Sequence, residues 1–544
     1  MAAKIKKEEN PDNPENVKKT TKTTKTTRTK KAEVVKDTEN KEAVKPVKKA
    51  ASPRKKAVKK SSKKILFVSS ESAPFITTGG LGEVIGALPK NLRRADKDMD
   101  VRIVIPLYEE ISLKFKDDLK FIDKFYVDLG WRRQYCGIYS AVISDVTYYF
   151  IDNEYYFKRP GCYGYFDDGE RFAFFGKAVL DMLGVIDFIP DIIHAHDWQS
   201  AIVPVYLKTI YSWKKELSDV KTVFTVHNIE YQGKYSMSIL GDVFDIPYHD
   251  KHIVEFDKSI NLMKGAMTCS DIISTVSPSY AREIHGWDYA HGLDPVINTQ
   301  THKIRGILNG IDTESYDPKT DTKIVESFNS SDISGKLQNK LQLQTIMGLP
   351  KDERIPIIAV ITRLVSHKGM DLIIGAMHDI LQMPVQFVVL GSGDRDYERQ
   401  FELFSESFPD KISVHLGFNS DLARRIYAGA DMFLMPSKSE PCGLSQMIAA
   451  RYGTVPLVRA TGGLRDSIIP YESEDGQGIG FVFEDYRRES ITEIISRAYA
   501  VYNDTEKWEE LVKRVMNRDF SWGLSAKEYI KMYNELLGIG EKNN

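Results

Sequence analysis

The segment from Ser437 to Leu464, SKSEPCGLSQMIAARYGTVPLVRATGGL, carries the residue types best suited to chemistry. Glu440 stands directly before a Pro-Cys-Gly turn, and an amphipathic segment follows. A hydrophobic run precedes the turn, so we expect Ser439 or Glu440 to cap a new helix. The amides of residues 443–445 would then lie in a first helical turn without intrahelical partners, where they attract an anion. A carboxylate beside such a turn predicts a site that holds a sugar and a phosphate together.

Two cations follow another predicted strand. Arg363 and Lys368 lie in the loop ITRLVSHKG, at the end of the apolar run 356–361. Arginine offers a planar fork of donors and lysine a compact point charge, a combination suited to a departing diphosphate. The alternative interpretation is an exposed surface pair, but the position at a strand end favours a ligand.

Two similar glycine loops occur in the two halves of the chain. A Thr-Gly-Gly sequence at 78–80 opens a segment with helical periodicity, and a second one occurs at 461–463. Two glycines let the backbone approach a diphosphate closely, and a following helix start favours its charge. Singly, each loop is equally well explained as a structural turn, as is the Gly-Ser-Gly-Asp turn at 391–394. As a pair across a cleft, the two Thr-Gly-Gly loops would hold one nucleotide-linked ligand from both sides.

Polar residues end three predicted strands of the first half. Asp197 closes the run DIIHAHD, His227 and Asn228 close FTVHN, and Asn309 lies in ILNGID. Any one of them would more often be a hydrogen-bonded structural residue. Together at one sheet edge they predict a polar pocket of sugar size. The His-x-His-Asp run also permits a metal-cluster interpretation, but no second run of ligands accompanies it, so we expect no metal.

The elements that must position these residues are short Val- and Ile-rich runs alternating with helical patterns, which predicts an α/β fold with parallel sheets. The predicted strands are 65–69, 101–105, 191–194, 222–226, 272–276, 303–308, 356–361, 385–390, 412–416, 432–435, 455–458 and 480–483. They indicate two doubly wound domains whose strand ends face a cleft. We predict a first domain over 64–312, a second over 313–519, and a helix within 520–544 that crosses back to the first.

The N-terminal segment differs in composition from the rest. Residues 1–64 hold 22 Lys and Arg against eight Asp and Glu and contain no aromatic residue, whereas the whole chain has a net charge of -1. Such a segment cannot bury enough apolar surface to offset its ordering entropy, so we predict a disordered basic tail over 1–63. Two interpretations stay open, an electrostatic arm that contacts a polyanion and a solubilising tail.

Cysteine content and hydropathy restrict the setting. The four cysteines lie far apart without CxxC spacing, which argues against a disulfide framework or a zinc site. The sequence contains no signal peptide and no apolar run of the length that a membrane span requires. We therefore expect a cytoplasmic protein without membrane contact.

The ordered motifs resemble those of the bacterial glycogen synthases and plant starch synthases, retaining glycosyltransferases of the GT-B fold. The resemblance runs from about Lys64 to about Leu537. The shared motifs are PFITTGGLGEVIGALPK, HAHDW, FTVHN, VSPSYAREI, GILNGID, ITRLVSHKG, EPCGL, TGGLRDSI and DFSW. It implies two Rossmann-like domains facing across a cleft. The implied reaction moves glucose from ADP-glucose to the non-reducing 4-hydroxyl of an α-1,4-glucan, glycogen or starch, with retention and without a cofactor.

The resemblance also implies a role for each matching residue. Arg363 and Lys368 would neutralise the diphosphate as it leaves, and Glu440 would bind and orient the glucose hydroxyls. His227 would lie at the glucose ring, with Asp197 shaping the same pocket, so these five are the implied catalytic residues. The implied substrate-binding residues are Thr77, Gly79, Gly80, Asn228, Asn309, Cys442, Gly443, Leu444, Ser445, Thr461, Gly462 and Gly463.

One position departs from the family's pattern. The family usually has a lysine where this chain has Thr77, so a cation near the diphosphate is missing. The acid that follows this loop is Glu83 rather than the usual aspartate. Two alternatives therefore accompany the first hypothesis: a related glucosyltransferase that uses UDP-glucose or another acceptor, and a non-catalytic glucan-binding homologue.

Overall fold

The computed structural model describes residues 62–540, so the predicted basic tail lies outside the described residues except for its last two positions. The strands are β1 (Lys63–Val68), β2 (Met99–Pro106), β3 (Lys120–Leu129), β4 (Arg132–Ile143), β5 (Val146–Asp152), β6 (Ile192–His196), β7 (Lys221–Val226), β8 (Lys234–Ser236), β9 (Glu255–Phe256), β10 (Ser259–Asn261), β11 (Ile272–Thr275), β12 (Ile304–Gly306), β13 (Ile357–Ile361), β14 (Gln386–Gly391), β15 (Ile412–Leu416), β16 (Met432–Met435), β17 (Val455–Arg459) and β18 (Phe481–Phe483).

The α-helices between and after these strands are α1 (Gly80–Ala95), α2 (Glu109–Lys114), α3 (Glu154–Phe157), α4 (Asp168–Val185), α5 (Asp197–Ser200), α6 (Ile202–Lys208), α7 (Lys251–Val254), α8 (Leu262–Cys269), α9 (Pro278–Glu283), α10 (Trp287–Ala290), α11 (Asp294–Thr299), α12 (Ser334–Ile346), α13 (Met370–Gln382), α14 (Arg395–Ser407), α15 (Ser420–Gly429), α16 (Ser445–Arg451), α17 (Gly462–Ser467), α18 (Arg488–Tyr502), α19 (Thr505–Met516) and α20 (Trp522–Leu536). Among residues 62–540, none of these helices is long and apolar enough to cross a membrane.

The first sheet has nine strands in the order β12-β11-β7-β6-β1-β2-β5-β4-β3. The strands from β12 to β5 are parallel, whereas β4 and β3 join antiparallel. The predicted parallel sheet therefore continues into an antiparallel edge, where three strands that the sequence analysis did not predict lie between 120 and 152. A tight turn at Gly130 joins β3 to β4, so no crossover helix marks them in the sequence. Most side chains of β3 are exposed, which removes the apolar run typical of buried strands.

The second sheet has six strands in the order β15-β14-β13-β16-β17-β18, all parallel. Its central strands are buried almost throughout because helices cover both faces, which explains their continuous Val, Ile and Phe content. The predicted α/β class is confirmed. A small third sheet, β8-β10-β9, lies outside both large ones. We propose that the domain boundaries lie near the predicted positions, because β12 ends at Gly306 and β13 begins only at Ile357.

In each large sheet, the strand that comes first in the sequence lies in the interior of the sheet. From β1 it first moves to β2 on one side and later places β6 on the other side. From β13 it moves to β14 and later places β16 on the other side. In open parallel sheets, ligands bind at the carboxyl ends of the strands that flank such a reversal of direction. The loops after β1, β6, β13 and β16 are therefore the places to search for a site.

The last helix, α20, belongs to the packing of the first sheet. The Tyr533 hydroxyl lies 2.7 Å from Nδ1 of His194 in β6, and the Ser525 hydroxyl donates to the Leu308 carbonyl at 2.5 Å. The helix also packs against α1. The segment that precedes it is joined to residues 307–312 by a hydrogen bond from the Ile311 amide to the Phe520 carbonyl. The chain thus returns from the second sheet to the first at its end.

Helices α9 and α17 connect the two halves by capping each other. The Asp466 carboxylate of α17 accepts hydrogen bonds from the amide and hydroxyl of Ser279, both at 2.6 Å. In return, Glu283 of α9 accepts the amide of Gly462 at 2.8 Å. Each carboxylate therefore meets the electropositive start of the other helix, which favours this contact electrostatically.

Candidate functional site

Three of the predicted groups follow strands that flank the two reversals. The glycine loop 77–80 follows β1, the Arg363–Lys368 loop follows β13, and Glu440 follows β16. Helices α1 and α16, which begin at two of these loops, line one groove of about 460 Å³, with Glu83 of α1 and Leu444 among its lining residues. The two halves of the chain therefore face each other across a cleft.

Glu440 is a buried charged residue in the loop after β16. Its carboxylate is only 5% exposed, and its Oε2 atom accepts from Lys368 Nζ at 2.6 Å and from the Ser437 hydroxyl at 3.0 Å. Both partners converge on the same oxygen, which leaves Oε1 as the acceptor available to a ligand. A buried carboxylate with one free oxygen beside a cation suits a polyhydroxylated ligand next to a phosphate.

The two predicted cations lie in the loop that follows β13. Arg363 is exposed, and among residues 62–540 it forms no ion pair, whereas Lys368 is held by Glu440. Between them lies His367, whose pKa is lowered by burial and by the charges of Lys368 and Arg363, against the opposing effect of Glu230. Glu230 belongs to the loop after β7, so charged groups of both halves meet around this imidazole.

Glycines of the next loop brace the cation loop. A Cβ atom on Gly391 would lie 1.9 Å from the Thr362 carbonyl oxygen, and one on Gly393 would lie 2.2 Å from that of Leu364. Only glycine permits this close approach of two backbones. The structure thus favours the structural interpretation of the 391–394 turn, which positions the loop that carries Arg363.

The expected helix cap at Ser439 or Glu440 is wrong. Helix α16 begins at Ser445 with Leu444 as its N-cap, and Gly443 precedes it with a φ of +71°. The turn is longer than expected because Glu440 forms the ion pair with Lys368 instead of capping. The amides of residues 443–445 nevertheless have no acceptor among the described residues, so they are open toward a ligand.

The second Thr-Gly-Gly loop is different from the first. The Gly462 amide donates to Glu283 at 2.8 Å, and the Gly463 amide donates to the Glu440 carbonyl at 3.0 Å. Thr461 is fully buried, and its hydroxyl also lies 3.3 Å from the Glu283 carboxylate. The predicted ligand donors of this loop are therefore used inside the protein, and the loop supports the position of Glu440.

The first Thr-Gly-Gly loop is open. Gly79 and Gly80 are exposed, and a Cβ atom built on either meets nothing within 4 Å. Their amides have no acceptor among the described residues, and Gly80 begins α1. Thr77 is exposed beside them and packs against Gly82. The position where the family usually carries a lysine is thus exposed, beside the two open glycines.

The predicted sugar pocket is built around Asp197. This residue begins α5 directly after β6, with a φ of +55°, and its Oδ1 accepts the amide of His227 at 2.7 Å. Burial raises its pKa to about 7, against the lowering effect of the amides of His227 and Asn228. The side chain of His227 is half-buried, and burial lowers its pKa to about 3. Two of the three strand ends predicted to form one polar pocket therefore meet, and the pocket itself stays a prediction.

Asn309 and Cys442 meet across the halves. Asn309 is 5% exposed, and its side-chain Oδ1 has no hydrogen-bond partner among residues 62–540. Its backbone N–H donates to the sulfur of Cys442. Burial raises the pKa of this thiol to about 12, so it is a neutral packing group. The Ser277 hydroxyl also donates to the Pro441 carbonyl at 2.6 Å. These contacts hold the Glu440 turn against the first sheet.

Two residues that the sequence analysis did not single out are further candidates for the site. Glu71 lies after β1, is 3% exposed and accepts the amide of Thr78, and burial raises its pKa. Its charge also raises the pKa of Asp197, so the two carboxylates lie within electrostatic range of each other. Phe418 lies after β15 and is 94% exposed, which is unusual for a large apolar ring. A carboxylate and an aromatic residue placed shortly after strands are the signals that could have found them.

The metal-cluster interpretation of the HAHD run does not fit the geometry. His194 contacts Tyr533 and Thr225, His196 contacts His227, and Asp197 accepts backbone amides. Each of these side chains is therefore hydrogen-bonded to a different protein partner, and they do not converge on one point. Within residues 62–540, no group of three or more His, Cys, Asp or Glu side chains has the arrangement of a metal site.

Comparison with known proteins agrees with this geometry. A model of the starch synthase catalytic domain matches residues 64–299, and one of glycosyl transferases group 1 matches residues 345–515. Glycogen synthase of Ligilactobacillus salivarius (strain UCC118) is 46% identical over 476 residues, covering 87% of this chain and 100% of the relative. Glycogen synthase of Clostridium botulinum (strain Alaska E43 / Type E3) is 47% identical over 476 residues, covering 87% and 99%.

A solved structure extends the match to three dimensions. The catalytic domain of starch synthase IV from Arabidopsis thaliana, bound to ADP and acarbose, superposes with a TM-score of 0.79 at 35% identity. The match covers 88% of this chain and 100% of that one, and therefore includes both large sheets. This chain belongs to the glycogen and starch synthase family of glycosyltransferases.

Proposed function

We propose that this glycosyltransferase moves glucose from ADP-glucose to the non-reducing 4-hydroxyl of an α-1,4-glucan, with retention of the α configuration. The observation that carries the proposal is the group of Glu440, Lys368 and Arg363 beside the open amides of residues 443–445. This group offers a carboxylate that can accept hydrogen bonds from sugar hydroxyls, two cations and unpaired N–H donors. All of them lie in the loops at the carboxyl ends of β13 and β16.

The cations act on the leaving group. As the glycosidic bond breaks, negative charge grows on the diphosphate, and fixed positive groups stabilise it more in the transition state than in the ground state. Arg363 is unpaired among the described residues and reaches the phosphate without first breaking an ion pair. Lys368 shares its charge with Glu440, which couples the phosphate to the sugar-binding carboxylate.

We take retention from the family resemblance, and the surroundings of the candidate carboxylates disfavour a two-step route through a protein nucleophile. A retaining glycosidase uses a carboxylate that attacks the anomeric carbon and a second one that protonates the leaving group. Glu440 is bound to Lys368 and Ser437, and Asp197 accepts the His227 amide. We therefore assign displacement on one face of the sugar, with the departing phosphate accepting the proton of the glucan hydroxyl.

The acceptor and the nucleobase occupy opposite ends of the cleft in this proposal. The carboxylates of Glu71 and Asp197 accept hydrogen bonds from glucan hydroxyls, and the charge of Glu71 raises the pKa of Asp197 beyond the effect of burial. The exposed ring of Phe418 offers a stacking surface for adenine. The ADP bound to the related starch synthase IV supports an adenine nucleotide as the donor.

The proposal is tested by glucan elongation with purified protein, a glycogen primer and either ADP-glucose or UDP-glucose. We expect elongation with ADP-glucose, and a Phe418→Ala variant should bind ADP several-fold more weakly. Elongation with UDP-glucose alone would favour the first alternative. Glucan binding without elongation from either donor would favour the non-catalytic homologue.

A further inference from the structure

The side chain of His227 is fixed by a second histidine that does not reach the cleft. Nδ1 of His196, in β6, lies 3.0 Å from Nε2 of His227, directly after β7. Burial lowers the pKa of His196 well below its usual value and that of His227 to about 3. Two neutral rings at this distance share one proton, so one ring donates and the other accepts.

The direction of this hydrogen bond is set by the other nitrogen of His196. Nε2 of His196 is buried and has no partner among residues 62–540. If His227 were the donor, His196 would carry its proton on Nε2, which would leave a buried N–H without an acceptor. If His196 is the donor, only a lone pair is left without a partner. Buried donors without acceptors are the rarer and costlier defect, so the second arrangement is favoured.

Packing prevents the ring of His196 from rotating so that Nδ1 would point away from His227. It stacks on Phe67 at 5.2 Å with an interplanar angle of 15° and lies 4.1 Å from the ring of His194. Its backbone is held by Ser200, whose hydroxyl accepts the His196 amide at 2.6 Å and donates to the His196 carbonyl at 2.7 Å. The orientation of Nδ1 toward His227 is therefore built into the packing.

The consequence for His227 is a defined tautomer. With Nε2 accepting from His196, the proton of His227 is on Nδ1, and this nitrogen has no acceptor among the described residues. We propose that His196 is a positioning residue that holds His227 as the Nδ1–H tautomer, so that His227 donates a hydrogen bond to a hydroxyl of the donor sugar. The role toward the sugar rests on the proposed function, whereas the tautomer is a property of the protein alone.

The test observes the tautomer directly. Long-range proton–nitrogen correlation spectra of protein labelled with nitrogen-15 in its histidine rings distinguish protonated from bare ring nitrogens, and a His227→Gln variant identifies the signals of His227. We expect a protonated Nδ1 and a bare Nε2 in the wild type. A protonated Nε2 would overturn the proposal, and this result does not depend on whether glucan synthesis occurs.

Variants at 196 separate the hydrogen bond from the packing. His196→Phe keeps a ring but removes the donor, and we expect a mixed tautomer and a kcat reduced about tenfold. In His196→Asn, the amide nitrogen occupies the position of Nδ1 and should restore the tautomer and most of kcat. In His196→Gln, the amide nitrogen lies one atom further along and should restore neither. Equal results for Asn and Gln would contradict the assignment.

His194 is the matched control. It lies two residues before His196 in the same strand and is equally buried, but it bonds to Tyr533 and Thr225 instead of His227. His194→Phe should lower the unfolding temperature without changing the tautomer of His227. If both ring substitutions changed the tautomer to the same extent, the effect would be general loosening of the strand and the positioning role would be refuted.

Discussion

Replacing Glu440 with glutamine keeps the shape of the side chain and removes its charge. In the structure, Oε2 of Glu440 is occupied by Lys368 and Ser437, and Oε1 is the atom left for a sugar hydroxyl. A hydrogen bond to a charged group contributes about 1.5–3 kcal/mol and a neutral one about 0.5–1.5 kcal/mol. The difference of about 1–2 kcal/mol predicts a fall in kcat/KM of about 5- to 30-fold.

The same substitution also frees Lys368. Its side chain is 18% exposed and that of Glu440 is 7% exposed, so the lost ion pair leaves a largely buried cation unpaired and should destabilise the fold by about 3 kcal/mol. The freed ammonium remains available to the diphosphate, so the KM for the donor should change less than kcat. The assay is initial-rate glucan elongation over a range of donor concentrations, with urea denaturation of the same preparation.

A matched control is present in the same half of the chain. Glu472 pairs with Arg497 at 2.5 Å, but both side chains are more than 40% exposed. Glu472→Gln removes the same charge outside the site and should change kcat/KM by less than about twofold. If Glu440→Gln also stayed within twofold of the wild type, Glu440 would not bind the sugar, and the assignment of the donor site would be refuted.

Four further predictions concern the rim, the pocket, the core and the tail. Thr77→Lys should raise kcat/KM for the donor about 3- to 10-fold by adding a cation near the diphosphate, and an unchanged value would remove this loop from the donor site. The folded-state pKa of Asp197 is about 7, above its ordinary value, so this carboxyl destabilises the fold increasingly as pH rises from about 4 to 7. Urea unfolding should therefore show that the stability of Asp197→Asn relative to the wild type rises between pH 4 and pH 7. A difference that does not change with pH would contradict this prediction. Nζ of Lys336 donates to three carbonyls and to Thr454, so Lys336→Met should lower the unfolding free energy by about 3–5 kcal/mol, whereas a loss below about 1 kcal/mol would show that these acceptors find other partners. Deleting residues 1–61 should leave kcat within about twofold and abolish retention on a heparin column, and a large loss of elongation would make the basic segment part of the enzyme's working surface.

The buried parallel strands were predictable because local composition alone determines them. Runs such as 357–361 and 432–435 are apolar on both faces, so each one indicates a central parallel strand without information from elsewhere in the chain. The antiparallel edge was not predictable in this way, because β3 has an exposed face and needs only a tight turn to pair with β4. Once these strands were predicted, the polar residues at their carboxyl ends could be identified as candidates for the site.

The features of the site that the sequence could not predict depend on contacts between distant segments. Whether the amides of a glycine loop are open or used is decided by Glu283, far from Gly462 in the chain. The start of α16 depends on the ion pair of Glu440 with Lys368, which draws the carboxylate away from the helix. The orientation of His227 is fixed by His196 from a neighbouring strand. None of these contacts can be derived from the spacing of residues in the sequence.

The central claim is retaining transfer of glucose from ADP-glucose to a glucan by the Glu440 site. The most direct measurement follows ADP-glucose labelled with carbon-13 at the anomeric carbon, mixed with a maltooligosaccharide primer, by carbon NMR. The account predicts that the label moves into α-1,4 linkages as one ADP is released for each bond formed. Label that stayed in the donor, appeared as free glucose or entered a β linkage would contradict it.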